Sequence, residues 1–305
     1  MTADYRGKWL NAPQLIRFDV QGTVAVITLD QPDKRNALGM AMLNELRGAL
    51  LEADDRTDIH CILLQGAGKD FCAGYDLTGT YAGREAEAAA EAAGEKRQYR
   101  STIASFDDDV WNMERMQEHT TLMFDLHKPV VAKVHGNCLA GGTDLALGCD
   151  MVIAAEDAKI GFPATRANGS PPNHMWIYHC GPQWAKRLLM TGDIMSGHDA
   201  AKIGLVLEAV PAVDLDDEAM ALAQRIAAVD HELLAAHKRI VNLALEGMGA
   251  RTLQRLAAEN DARAHLSTGP RRTRFKTDMA EHGLKEALKN RDAPFGDGRV
   301  KLRGQ

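Results

Sequence analysis

Apolar positions along the chain fall into short consecutive runs, helical-period runs and weakly patterned stretches, and their order predicts the architecture. Residues 15–20 and 23–29 are rich in Val and Ile on either side of Gln21-Gly22, which predicts two short strands joined by a turn. Gln31, Pro32 and Asp33 end the second strand. Leu38, Met42, Leu43, Leu46 and Leu50 then recur at helical spacing, with Asn36 as the expected N-cap. Ile59 to Gln65 contains the consecutive apolar triplet Ile62-Leu63-Leu64, the pattern of a strand buried on both faces. Val130 to Val134 repeats that pattern. Between these two strands, 84–99 is mostly Ala and Glu with weak amphipathy, so a solvated helix or a flap is expected. Residues 110–126 carry a clearer helical stripe of Val110, Met113, Met116, Leu122 and Met123.

Beyond Val134, Gly141-Gly142 opens a helix expected to run through Leu147. Short strands are expected at 152–154, 158–161 and 205–210, with a helix around Trp184 to Leu189 and another beginning near Ala200. After Pro211 the strand signals stop, and 215–228, 231–247, 250–266 and 278–289 read as helices. Strands alternating with helices predict an α/β core with a mostly parallel sheet over 1–210, followed by a helical region over 211–305.

Composition narrows the function classes. The hydrophobic set makes up 45% and charged residues 26%, an ordinary globular balance. The net charge of -6 gives no global attraction for nucleic acid, and beyond Arg271, Arg272 and Arg274 no compact basic motif stands out. Cys61, Cys72, Cys138, Cys149 and Cys180 are odd in number and scattered, which fits buried thiols in a reducing compartment rather than disulfides or metal ligands. No dinucleotide-binding glycine fingerprint follows a strand. With no secretion-type apolar segment at the N-terminus, a cytoplasmic protein without metal or redox cofactor is expected.

Two loops after buried strands carry the candidate chemistry. One is Lys69-Asp70-Phe71-Cys72-Ala73-Gly74-Tyr75-Asp76. The other is His135 to Asp144, which leads into a helix. Glycines allow tight turns that converge backbone N–H groups, and a helix N-terminus adds unsatisfied donors. Such a pair can stabilise an oxyanion. The same glycines also suit plain tight turns.

These loops, with their neighbours, resemble the enoyl-CoA hydratase/isomerase (crotonase) family. The resemblance rests on PDKRNAL at 32–38, FCAGYDL at 71–77, KPVVAKVHG at 128–136, AGGTDLALGCD at 140–150 and LMTGDIMSGHDAAKIGL at 189–205, in that order, with 275–295 similar to the family's closing helix. It implies a ββα superhelix with a helical C-terminal part, assembly as a trimer or hexamer through that part, and an acyl-CoA thioester as substrate. It further implies that the thioester oxygen lies between the backbone N–H groups of Tyr75 and Gly141, with the Tyr75 ring lining the acyl cavity. The loop containing Lys34, Arg35 and Ala37, together with the backbone at Ala73, would hold CoA. Lys34 and Arg35 also suit an ordinary solvated surface.

The chain departs from the hydratase pattern at its acids. One family glutamate matches Asp144, a shorter carboxylate and the best candidate acid or base. The second matches Ala164, which moves no proton, and the aspartate of some dienoyl-CoA isomerases matches Pro172. Arg166 and His174 lie nearby and are candidates for orienting a carboxylate or a water, whereas His135 suits a packing role. Hydratase or isomerase chemistry leads. Hydrolysis, decarboxylation or C–C cleavage on the same scaffold, or acyl-CoA binding without catalysis, are the alternatives.

Overall fold

A computed structural model of the protein describes residues 5–95 and 105–302. Strands β1 (Ile16–Gln21) and β2 (Val24–Leu29) form an antiparallel hairpin across Gly22, which takes the left-handed φ of +62° that the turn requires. Every residue of β2 is buried, because β2 also pairs in parallel with β3 (Cys61–Gly66). The sheet continues in parallel through β4 (Val130–Val134), β6 (Met151–Ala155) and β9 (Glu208–Val210), giving the order β1-β2-β3-β4-β6-β9. A second sheet, β5-β7-β8, combines β5 (Asn137–Leu139), β7 (Lys159–Gly161) and β8 (Ile194–Ser196).

Helix α1 (Met40–Asp55) buries Met42, Leu43, Leu46 and Leu50 beside β1 and β2, the stripe expected from sequence. Its N-cap is Gly39, not Asn36. Asn36 instead has φ +54° and is fully buried, where its side chain ties three stretches of chain together. Helix α2 (Leu77–Ala92) covers part of the Ala/Glu-rich stretch, whose end at 96–99 lies outside the described residues. Helix α3 (Phe106–Thr120) begins four residues earlier than its apolar stripe suggests, because Ser105 caps it by accepting the Asp108 N–H. The short α4 (Leu122–Asp125) follows after a break at Thr121.

The remaining elements are α5 (Gly141–Gly148), α6 (Trp176–Thr191), α7 (Gly197–Lys202), α8 (Leu215–Ala227), α9 (His231–Gly247), α10 (Ala250–His265) and α11 (Pro270–Asp292). α6 and α11 are each interrupted by a non-helical glycine, Gly181 and Gly283. α8 packs on β3, β4 and β6 as part of the main core, whereas α10 lies against α3. The helical tail therefore folds back over the α/β core. The architecture is that of the crotonase ββα fold.

Candidate active site

The two glycine loops meet. The Phe71 N–H donates to His135 O at 2.9 Å, Cys72 N–H to Asn137 O at 2.9 Å, and Leu139 N–H to Cys72 O at 3.0 Å. On the other side, Ala73 N–H donates to Arg35 O at 3.0 Å, Leu38 N–H to Gly74 O at 2.8 Å and Asp76 N–H to Leu38 O at 3.0 Å. Asn36 locks this assembly. Its amide nitrogen donates to the carbonyls of Ala67, Asp70 and Phe71 at 3.0, 2.8 and 3.2 Å, and its oxygen accepts the Gln31 N–H at 3.0 Å.

The loops cross at Gly74 and Gly141. A Cβ placed on Gly74 would lie 3.4 Å from the Gly141 nitrogen, and one on Gly141 would lie 2.9 Å from the Tyr75 ring. Glycine at 141 thus provides the space in which Tyr75 sits. Ala140, just before it, takes φ +49° and ψ -118°, a conformation unfavourable to an L side chain. Its carbonyl accepts the Thr143 N–H at 2.8 Å and the Thr143 hydroxyl at 2.6 Å, which fixes the peptide leading into Gly141. Such strain costs on the order of 1–3 kcal/mol and persists where the surroundings over-determine it. Within the described residues, neither the Tyr75 nor the Gly141 N–H is engaged by another backbone carbonyl.

One turn into α5, Asp144 is 2% exposed. The Tyr75 hydroxyl donates to its Oδ2 at 2.9 Å. Its Oδ1 is buried without a hydrogen-bond partner among the described residues. Burial lifts the Asp144 carboxyl well above the usual carboxylate range, opposed by the Tyr75 hydrogen bond. Burial and the adjacent carboxylate likewise raise the Tyr75 phenol, so it stays a neutral donor. The sequence-based reading of Tyr75 as a ring lining the pocket left out this hydroxyl contact.

Asp144 also lines a cavity of about 370 Å³. Gln117 and Thr120 of α3, Gly148 of α5, Asn173 and Gln254 of α10 contribute to its wall. Asn173 and Gln254 escape a motif-based reading because folding, not sequence spacing, brings their segments onto α5. The only local signal is the polar character of Asn173 in the segment after the Pro171-Pro172 pair.

Other sequence candidates fall outside this arrangement. Ala164 sits in a 3-10 turn, Pro163–Arg166, and supplies no side-chain acid. Arg166 is committed to structure: it pairs with Asp193 at 3.1 Å and Asp292 at 3.2 Å, donates to Thr191 O at 3.0 Å, and stacks on Phe295. It is therefore a clamp between the loop and the tail, not an orienting group for Asp144. His174 donates its backbone N–H to Gln254 Oε1 at 2.8 Å, and burial lowers its imidazole pKa. His135 Nε2 lies 2.9 Å from Gly68 O, in keeping with a packing role. The Pro172 carbonyl accepts from Gln117. Lys34 and Arg35 have half-exposed side chains and form loose pairs, Lys34 with Asp76 at 3.7 Å and Arg35 with Asp70 at 3.8 Å. Ala37 and Ala73 lie on the same two laced segments.

Known proteins share this frame. The family model for enoyl-CoA hydratase/isomerase matches residues 19–105 and 99–295. The chain is 36% identical to a crystal structure of enoyl-CoA hydratase from Mycobacterium smegmatis, with a TM-score of 0.84 over 95% of this chain and 98% of that one. An enoyl-CoA hydratase/isomerase structure from Xanthobacter autotrophicus gives 30% identity and a TM-score of 0.80 over 92% and 98%. EchA13 of Mycobacterium tuberculosis, which carries a provisional enoyl-CoA hydratase name, is 33% identical over 253 residues, covering 77% of this chain and 76% of EchA13. Matching motifs, matching fold and a family model spanning most of the sequence lead to one assignment: the chain belongs to the enoyl-CoA hydratase/isomerase (crotonase) family.

Proposed function

We propose that this protein is an enoyl-CoA hydratase/isomerase-type enzyme that forms a thioester enolate and moves a proton on it with Asp144. The observation that carries the proposal is the hydrogen bond from the Tyr75 hydroxyl to Asp144 Oδ2. It holds the carboxyl in place while Oδ1 has no partner among the described residues, beside the crossing of the two loops whose N–H groups are proposed to bind the thioester oxygen.

The roles follow from charge. Enolisation moves negative charge onto the thioester oxygen, and fixed donors at Tyr75 and Gly141 stabilise it as it develops. Asp144 Oδ1 takes a proton from carbon and returns it, so one carboxyl suffices for transfer between the α and γ positions. Lys34 and Arg35 are proposed to meet the CoA phosphates, with Ala37 and Ala73 on the backbone beside them.

A second reading has its own support. Burial favours the protonated form of Asp144, which suits quenching an enolate released by decarboxylation or C–C bond cleavage.

The test is exchange of the α-protons of saturated and 3-enoyl-CoA esters in deuterated water, read by mass spectrometry. The wild type should exchange, and Asp144→Asn should lose about 10²–10⁴ in rate, the worth of one positioned acid or base, with CoA-ester binding retained. Equal exchange by both proteins would refute the role of Asp144.

A further inference from the structure

The cavity that Asp144 lines carries a cation on the α10 side. Arg251 and Arg255 of α10 both contribute to its wall, and their spacing of one helical turn puts them on one face. Arg251 is committed to the protein: its guanidinium pairs with Asp125 and, at 2.7 Å, with Glu246, and lies 5.6 Å from the centre of the Phe124 ring. Arg255 is exposed and has no ion pair or hydrogen bond among the described residues. Glu259, one turn further along α10, is spaced for a pair with Arg255, yet none forms. Arg255 lines the cavity instead. Asp144 is no counter-ion for it either, because burial favours the neutral carboxyl and Oδ2 already takes the Tyr75 hydroxyl.

The rest of the wall suits a chain with an apolar middle. Phe124, Met175 and Ala250 contribute apolar surface. Asp144 stands in the first turn of α5 and Gly148 at its end, about 6 Å further on at the helical rise per residue. A Cβ on Gly148 would lie 3.0 Å from Thr120 O and 3.2 Å from the Met123 terminal methyl, so this end of the cavity abuts the segment that holds Phe124 and, through it, Arg251. Building on the function proposed above, we infer that Arg255 determines specificity and that the preferred acyl group ends in a carboxylate, which makes the substrate the mono-CoA ester of a dicarboxylic acid. The thioester lies at the loop crossing, the chain runs past Asp144, and the distal carboxylate meets the Arg255 guanidinium, whose planar fork matches a carboxylate. Arg255 transfers no proton. An acid end gains an ion pair from it, and an aliphatic end gains nothing.

The experiment measures kcat/KM for α-proton exchange in deuterated water on succinyl-, adipoyl- and suberoyl-CoA against butyryl-, hexanoyl- and octanoyl-CoA. The wild type should prefer the carboxylated ester at one or more of the three lengths. Arg255→Gln should lose about 10- to 100-fold on that ester, the scale of one hydrogen-bonded charge, and stay within about threefold on its uncharged counterpart. Arg255→Lys keeps the charge and should retain part of the preference. A wild type that favours the uncharged esters at every length would overturn the inference, as would a preference that Arg255→Gln leaves intact. An equal loss on both classes would place Arg255 on the CoA moiety or in the fold, and would overturn it too. In each of these cases exchange itself persists and the proposed function stands, whereas a wild type that exchanges no ester of either class ends both.

Discussion

The role proposed for Tyr75 draws on two parts of one residue. Its backbone N–H lies where the glycine loops cross, and its phenol reaches across Gly141 to Asp144. The phenol stabilises the ionised carboxylate, opposing the burial that disfavours it. Removing it in Tyr75→Phe raises the Asp144 pKa further above its already elevated value. If Asp144 must be ionised to take a proton from carbon, activity appears only as pH rises through that pKa. The rising limb of the α-exchange pH profile should then move to higher pH in Tyr75→Phe, with a rate loss of roughly tenfold at neutral pH. An unmoved limb would separate the phenol from the proton transfer, and a profile that falls with pH in both proteins would favour the enolate-quenching reading. Asp144 was legible because a carboxyl in the first turn after Gly141-Gly142 stands out in sequence. Its partner was not, because the reach of Tyr75 depends on Gly141 lacking a side chain, a contact between residues 66 positions apart in the chain.

At the level of elements, the site is built from loops whose order depends on Asn36. The sequence reading made Asn36 a helix cap, since Asn before an apolar-periodic run has that meaning in most contexts. The structure uses its amide to gather the Ala67, Asp70 and Phe71 carbonyls while its backbone takes the left-handed conformation that Asn tolerates. Asn36→Ala leaves these buried groups without partners and should cost about 2–4 kcal/mol, seen in denaturant unfolding monitored by circular dichroism. CoA-ester affinity should fall with it, because the 34–38 loop loses its anchor; unchanged stability would contradict this account. The core strands β2, β3 and β4 were legible because parallel strands buried on both faces carry consecutive apolar residues. The small strands β5 and β8 were not, since three residues carry no periodicity and both lie beside glycines, Gly136 and Gly192 with Gly197, that read as loop. The same holds for the packing of α10 on α3, which no local pattern encodes.

At the scale of the molecule, the tail does two things. α10 closes over α3 beside the cavity, and the helical region leaves large apolar side chains in solvent. Leu233, Ile240 and Val241 on α9 are 54%, 63% and 61% exposed, and Met248 after it is 67% exposed. Apolar exposure grouped on one region marks a contact surface. Assembly of trimers, alone or paired, is the proposal that covers it. Sedimentation at micromolar concentration should give a species of three or six times the 33.3 kDa chain mass, and a clean monomer would refute it. The five cysteines bear out their sequence reading as buried free thiols.

The central claim is that an acyl-CoA thioester lies with its oxygen between two backbone donors and its α carbon beside Asp144. A crystal structure with a bound non-reactive acyl-CoA tests this most directly. The account predicts the thioester oxygen about 3 Å from both the Tyr75 and Gly141 nitrogens, the distance a shared oxyanion requires, with Asp144 Oδ1 facing the α carbon and the acyl chain extending into the cavity toward Asn173 and Gln254. A thioester oxygen bound away from either nitrogen, or an acyl chain that never approaches Asp144, would contradict it.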